Sequence, residues 1–173
     1  MIALLLALAS PAITVSDADG LRPGGDTVVV SGSGFDVTKG VYVAFCVDRG
    51  PGVRPTPCGG GADTTGASGG SQWVSSDPPP YGRGLAVPYG PGGTFTVRLA
   101  VSAKIGTYDC RDVRCAVVTR ADHTRTEDRT QDARVPVTFA APATNGPMPL
   151  AAGVGAASVG ALGVALLGRR RRT

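Results

Sequence analysis

Histidine and aromatic residues are scarce in this chain. Its 173 residues include one histidine, His123, and only four phenylalanines, four tyrosines and one tryptophan. A Ser–His or Cys–His catalytic arrangement would depend on this single imidazole, and no partner pattern surrounds it. Zinc sites favour C-x2–4-C pairs together with closely spaced histidines, and this chain, although Cys110 and Cys115 have the x4 spacing, contains a single histidine. We therefore predict a non-enzymatic protein without catalytic residues or a metal site.

A surplus of charge is also missing from most of the chain. The formal net charge is +4, from 17 Lys and Arg against 13 Asp and Glu. Four consecutive arginines near the end, Arg169, Arg170, Arg171 and Arg172, account for the whole excess. A nucleic-acid-binding domain would carry a basic cluster on the domain itself. No nucleic-acid partner is therefore predicted.

The two ends of the chain predict export and membrane anchoring. Residues 1–12 contain a short apolar run and small residues before a plausible cleavage site, which is typical of a secretory signal peptide. No basic residue precedes that run, which suggests a true start upstream of Met1. Residues 149–168 are uncharged and long enough to cross a bilayer as one helix. The basic tail 169–173 would then act as a cytoplasmic membrane stop.

A spacer, residues 141–148, separates this anchor from the exported part. The sequence APATNG, followed by an apolar span and a basic tail, also has the layout of a cell-wall sorting signal. Two localisations therefore stay open. The first is a single-pass cell-membrane protein with an extracellular N-terminal domain, and the second is sortase-type cell-wall attachment.

The exported part, residues 13–140, alternates short β-type runs with Gly, Pro and Asp turns. We predict an all-β, immunoglobulin-like antiparallel sandwich of about seven strands. The predicted strands are Ile13–Ser16, Thr27–Phe35, Lys39–Val47, Ser71–Ser76, Gly93–Ser102, Cys115–Arg120 and Arg134–Ala140. Two long irregular loops, 49–70 and 77–92, interrupt them. Four cysteines, an even number in an exported chain, suggest two disulfides.

Several segments resemble a known family. VVVSGSGF, GVYVAFC, GTYDCRDVRC and VPVTF resemble the neocarzinostatin-like Ig-fold domain of actinobacteria. GVYVA, the pair Trp73-Val74 and the stretch Ala121–Asp132 resemble more closely the membrane-anchored surface proteins of that type that are associated with haemin uptake. The resemblance implies two local disulfides, Cys46–Cys58 and Cys110–Cys115. The short separations agree with this pairing, since near cysteines are the easiest to join, although two other connectivities exist.

Four residues are candidates for ligand binding. His123 lies in the charged stretch 120–134, which is either a recognition loop offering the imidazole to a metal or haem iron, or a solvated hairpin with paired charges. Trp73, Tyr81 and Tyr89 lie in or beside the long loops. They form either a platform for a ligand, with tyrosine able to ligate haem iron, or, for Trp73, a plug in the core.

The sequence thus predicts a binding or presentation module at the actinobacterial cell surface, with the membrane and an envelope ligand or protein as partners. The alternative is a haemin- or small-molecule-binding surface protein of an uptake system. Haem is the one cofactor that this alternative would bring, and otherwise none is expected.

Overall fold

The computed structural model describes residues 10–60 and 68–141, and these form nine strands and one short 3-10 helix, Pro80–Gly82. The strands are Ala12–Val15 (β1), Asp26–Ser33 (β2), Val41–Val47 (β3), Ser71–Val74 (β4), Phe95–Val101 (β5), Lys104–Ile105 (β6), Tyr108–Asp109 (β7), Cys115–Ala121 (β8) and Ala133–Val137 (β9). All seven predicted strands are present, with shifts of at most three residues at their ends. The predicted all-β class is confirmed.

Strands β6 and β7 are the elements that the sequence analysis missed. They form a hairpin of two residues on each side, closed at Gly106 with a φ of 56°. Two residues are too few to show the alternation of apolar and polar side chains by which a strand is recognised. The hairpin nevertheless places Ile105 in the core.

The longer strands pair antiparallel in two sheets. The three-stranded sheet has the order β1-β2-β5, and the four-stranded sheet has the order β4-β3-β8-β9. Strands β3 and β8 are the centre of the second sheet, with seven residue pairs from Val41–Ala121 to Val47–Cys115. The predicted antiparallel pairing is confirmed.

The core between the sheets is mainly aliphatic. On β5 the side chains of Phe95, Val97, Leu99 and Val101 are buried, and the residues between them are exposed. This strict alternation follows from the two-residue period of a strand with one face on the core. Alternate side chains of two other strands belong to the same core cluster. They include Val28, on β2 of the same sheet as β5, and Phe45, on β3 of the opposite sheet.

The opposite face of the four-stranded sheet carries a second, smaller buried cluster. It consists of Ala44, Cys46, Ala116 and Val118, each at most 1 % exposed, with Cys58 packed against them. The segment that carries Cys58 packs on these side chains and is tied to them by the Cys46–Cys58 disulfide. The residues of the same face toward the start of β3 build the candidate site.

Both predicted disulfides are confirmed. Cys46 on β3 pairs with Cys58, and Cys110 pairs with Cys115 at the start of β8. The first bond ties the loop after β3 to the outer face of the four-stranded sheet. The second closes the turn that leads into β8, which positions the strand that carries Arg120.

Some sequence predictions fall where the structure gives no description. Within residues 10–60 and 68–141, no helix is long and apolar enough to cross a membrane. The predicted membrane helix 149–168 and the arginine tail lie outside the described residues, as do most of the signal peptide and the spacer. Strand β1 begins at Ala12, one residue before the predicted start of the domain.

Replacing Leu99 by alanine tests the core. Leu99 is fully buried, so the Leu99→Ala variant loses apolar contacts and leaves a cavity. We expect its free energy of unfolding to fall by about 2–5 kcal/mol. Leu85→Ala, the same change at a side chain that is 46 % exposed, is the matched control and should cost less than ~1 kcal/mol. Denaturant unfolding of both variants measures this, and equal losses would contradict the assigned core.

Candidate functional site

A row of three large side chains crosses the outer face of the four-stranded sheet. Tyr42 on β3 lies opposite Trp73 on β4 and opposite Arg120 on β8. Directly paired residues point to the same side of a sheet, so the three side chains are neighbours on one surface. The rings of Tyr42 and Trp73 lie 6.0 Å apart between centroids, and the guanidinium of Arg120 lies 5.6 Å from the Tyr42 ring centroid.

His123 joins this row just after the end of β8. Its Nδ1 lies 2.6 Å from the hydroxyl of Tyr42, and its Nε2 lies 2.5 Å from the hydroxyl of Tyr81. A neutral imidazole has one N–H donor and one acceptor nitrogen, so one tyrosine hydroxyl donates to the ring while the other accepts from it. The ring also packs edge-on against Trp73, with centroids 5.3 Å apart.

Tyr81 reaches the site from the proline-rich loop 77–92. Its ring stacks on Trp73 with an interplanar angle of 25°, yet the residue stays 66 % exposed. The loop is held to β4 because Trp73 O accepts from Val87 N at 2.8 Å. Gly82 allows this close approach, since a Cβ at that position would overlap the Trp73 ring.

Asp122 fixes the orientation of the indole. Its Oδ2 accepts a hydrogen bond from Trp73 Nε1 at 3.1 Å, and its Oδ1 accepts two from the backbone N–H and hydroxyl of Thr124. Asp122 is only 3 % exposed, so these donors replace the water that a buried carboxyl group would otherwise need. Gly40 makes room for the carboxyl group, because a Cβ there would overlap it.

Partial burial shifts the pKa of the Arg120 guanidinium and the pKa of the Tyr42 hydroxyl. Burial, and then the positive charge of Arg54, lower the pKa of the Arg120 guanidinium. Burial, and then the negative charge of Asp122, raise the pKa of the Tyr42 hydroxyl. Tyr42 is therefore a neutral hydroxyl and Arg120 a cation at physiological pH, because an arginine stays protonated in proteins.

The structure brings together three of the four predicted binding residues, namely His123, Trp73 and Tyr81. Trp73 is half-buried on the outer face and does not join the core cluster, so the interpretation of this residue as a core plug is wrong. The physical reason is the register, which pairs Trp73 with Tyr42 on the face that points away from the core.

Tyr89 lies elsewhere. Its hydroxyl donates to the carbonyl oxygen of Lys39 at 3.0 Å, and its ring packs against Phe35 and Phe95 at the edge of the core. Burial raises the pKa of this hydroxyl strongly. Tyr89 is therefore a packing residue, and the prediction that grouped it with Trp73 and Tyr81 is wrong about its place.

The charged stretch 120–134 is not a fully solvated hairpin. Asp122 and Gln131 are buried, and the stretch packs on the turn that precedes β3. Lys39 Nζ lies 2.8 Å from Asp128 Oδ2, and the backbone N–H of Asp36 donates to Gln131 Oε1 at 2.8 Å. These contacts hold the segment that carries His123 against the sheet.

Sequence reasoning missed Tyr42, Arg120 and Asp122 as parts of the site. Tyr42 and Arg120 interrupt otherwise apolar strands at positions that face away from the core. A large polar side chain within an apolar strand is a usable signal, but the partner across the sheet is set by register, which one sequence does not give. Among the described residues, no group of three His, Cys, Asp or Glu side chains could hold a metal ion.

Comparisons with known proteins find similarity among solved structures alone. No protein-family model matches the chain, and no curated protein does. Among solved structures, the chain is similar to one titled macromomycin, with 25% sequence identity and a TM-score of 0.49. The similarity covers 76% of this chain and 100% of that one. The association with actinobacteria and haemin uptake stays a prediction.

The packing of Tyr81 and Trp73 can be tested with Gly82→Ala. The added methyl group would overlap the Trp73 ring, so the loop or the indole must move. We expect a loss of about 1–3 kcal/mol in the free energy of unfolding. Because Trp73 is the only tryptophan, its fluorescence emission should also shift toward that of a more exposed indole.

Gly24→Ala is the matched control, because a Cβ at Gly24 has nothing within 4 Å. Its stability and its tryptophan emission should both match those of the unmodified protein. An unchanged emission in Gly82→Ala would contradict the contact between the loop and the indole.

Proposed function

We propose that the chain is a non-enzymatic binding module, and that it takes a small planar ligand on the cluster formed by Tyr42, Trp73, Tyr81 and His123. The observation that carries the proposal is the exposed stack of Tyr81 on Trp73, held in place by hydrogen bonds to His123 and Asp122. Planar ligands bind to rings that are already oriented, because little entropy is then lost on binding.

The distribution of aromatic side chains supports this proposal. The chain has nine Phe, Tyr and Trp residues, and three of them lie in this one cluster outside the core. The core itself is mainly aliphatic. Ligand sites are typically lined by aromatic side chains with a few oriented polar groups, which is what Tyr42, His123 and Asp122 supply.

The same contacts favour binding over catalysis. Both ring nitrogens of His123 are engaged by the hydroxyls of Tyr42 and Tyr81. Tyr42 has a raised pKa, so its hydroxyl is a weak nucleophile at neutral pH. A general base must reach the proton that it removes, and here a substrate would first have to displace a tyrosine.

An exported location fits the two disulfides, because such bonds persist mainly in oxidising compartments. We propose that the domain is presented at the outer face of the cell envelope, held by the helix expected at 149–168. Attachment to the cell wall through the sorting-like spacer is the alternative.

Haemin is a second candidate ligand, and the position of His123 favours it. The imidazole is exposed, with Nε2 turned toward the equally exposed Tyr81. Iron could be ligated by His123 Nε2 only after the Tyr81 hydroxyl has moved away. The flanking rings of Trp73 and Tyr42 would then border the macrocycle.

Titration with haemin and with iron-free protoporphyrin IX tests both candidates. We expect both porphyrins to quench Trp73 fluorescence, because the planar ring would lie on the cluster. Tyr81→Ala should weaken the binding of protoporphyrin IX, which can only stack on the rings, by roughly two- to tenfold, the usual contribution of one aromatic contact. Tyr108→Ala is the control, since Tyr108 contacts Arg49 at the opposite end of β3.

The Soret band of haemin separates the two candidates. If His123 ligates the iron, His123→Ala abolishes the spectral shift of haemin but leaves protoporphyrin quenching in place. If the porphyrin is only stacked, neither signal depends on the imidazole. Absence of quenching by both porphyrins would contradict the proposed function.

A further inference from the structure

Arg120 occupies an unusual electrostatic position. The side chain is half-buried on the outer face of the sheet, and its Nε has no hydrogen-bond partner among the described residues. The guanidinium lies over the face of the Tyr42 ring. A buried donor without a partner costs free energy, so a natural protein rarely keeps one unless a ligand or water fills the position.

The groups around Arg120 do not neutralise it. Arg54 and Arg129 are both close enough to disfavour its positive charge. Asp132 offers the opposite charge, but its Oδ2 already pairs with Arg129 at 3.3 Å. Asp132 Oδ1 is buried without a partner of its own in the described structure. Two of the three charged neighbours of Arg120 are therefore cations, and the carboxylate among them, Asp132, pairs with Arg129.

We infer that Arg120 receives the carboxylate of an aromatic acid whose ring lies on Tyr42 and Trp73. This inference rests on the proposed function and names the class of ligand for that site. Adjacent strands are about 4.8 Å apart, so the row from Trp73 across Tyr42 to Arg120 spans about 10 Å. That span matches a molecule with one or two fused or conjugated rings and an acid group at one end.

A carboxylate fits this position better than a phosphate. The planar guanidinium offers parallel N–H donors that match the two oxygens of a carboxylate. A phosphate usually requires several further donors, such as backbone N–H groups. On one side of Arg120 the backbone of β8 is paired in register with β3, and β3 in turn with β4, so the sheet already uses the backbone groups that lie between Arg120, Tyr42 and Trp73.

The first experiment compares two ligands of nearly equal shape. Trans-cinnamate and its neutral amide, trans-cinnamamide, are titrated to millimolar concentration against the full chain, with Trp73 fluorescence and NMR as readouts. We expect the acid to bind about tenfold or more tightly than the amide, as a charge-assisted hydrogen bond implies. Raising the salt concentration should narrow this difference.

The second experiment compares the binding of the same two ligands to variants of Arg120. Arg120→Met keeps the apolar stem but removes the charge, so it should bind acid and amide equally. Arg120→Lys keeps the positive charge but lacks the planar set of guanidinium N–H donors. This variant should therefore retain only part of the preference for the acid over the amide. Arg98→Met is the matched control, because Arg98 is exposed on β5 of the other sheet, and it should retain the full preference.

The outcomes separate this inference from the proposed function. Equal binding of acid and amide by the unmodified chain, with both perturbing Trp73, overturns the role of Arg120 and leaves the aromatic site standing. A preference for the acid that persists in Arg120→Met also overturns it. If neither compound perturbs Trp73, the inference is overturned, and the planar-ligand site is contradicted as well only if the porphyrins also fail to quench Trp73.

Measurement of thermal unfolding tests whether Arg120 has a purely structural role. If Arg120 serves mainly as a partner for Asp132, Arg120→Met should lower the melting temperature. If it is held ready for a ligand, removing an unpaired, half-buried cation should leave the melting temperature unchanged or raise it. A clear fall in Arg120→Met, without a fall in Arg98→Met, would overturn the inference.

Discussion

The hydrogen bond from Trp73 Nε1 to Asp122 Oδ2 joins parts of the chain that are far apart in sequence. Trp73 belongs to the edge strand β4, and Asp122 follows the central strand β8. The bond sets the plane of the indole, and the indole in turn supports Tyr81 and borders His123. The buried carboxyl group depends on Gly40, whose missing side chain leaves the space that it fills. The aromatic cluster therefore depends on one buried polar contact.

The side chains of the sandwich have two roles, to fill the core and to form the candidate site. Aliphatic residues such as Leu99 and Val30 fill the space between the sheets and provide most of the stability. The outer face of the four-stranded sheet has a small buried cluster around Cys46 at one end and a row of large side chains, which includes Tyr42, at the other. A rigid sheet beneath the row keeps the rings oriented without a ligand, which is the condition for binding at low entropic cost.

Much of the fold could be predicted from the sequence, because alternation along β5 and the turn residues between strands report directly on local structure. The site could be predicted only in part. His123, Trp73 and Tyr81 stand out as rare residues, but their meeting depends on strand register and on the path of a proline-rich loop. Tyr89, an equally rare residue in the same loop, packs on Phe35 instead. The local pattern of the sequence predicts neither the position of Tyr81 nor that of Tyr89.

We propose the outer face of the four-stranded sheet as the binding face. The most direct measurement is a map of backbone amide chemical-shift changes in the isotope-labelled protein on addition of protoporphyrin IX. We expect these changes to be concentrated on β3, β4 and the start of the segment after β8, around Tyr42, Trp73 and His123. Changes concentrated on β1, β2 and β5 would place the ligand on the other sheet and contradict this proposal.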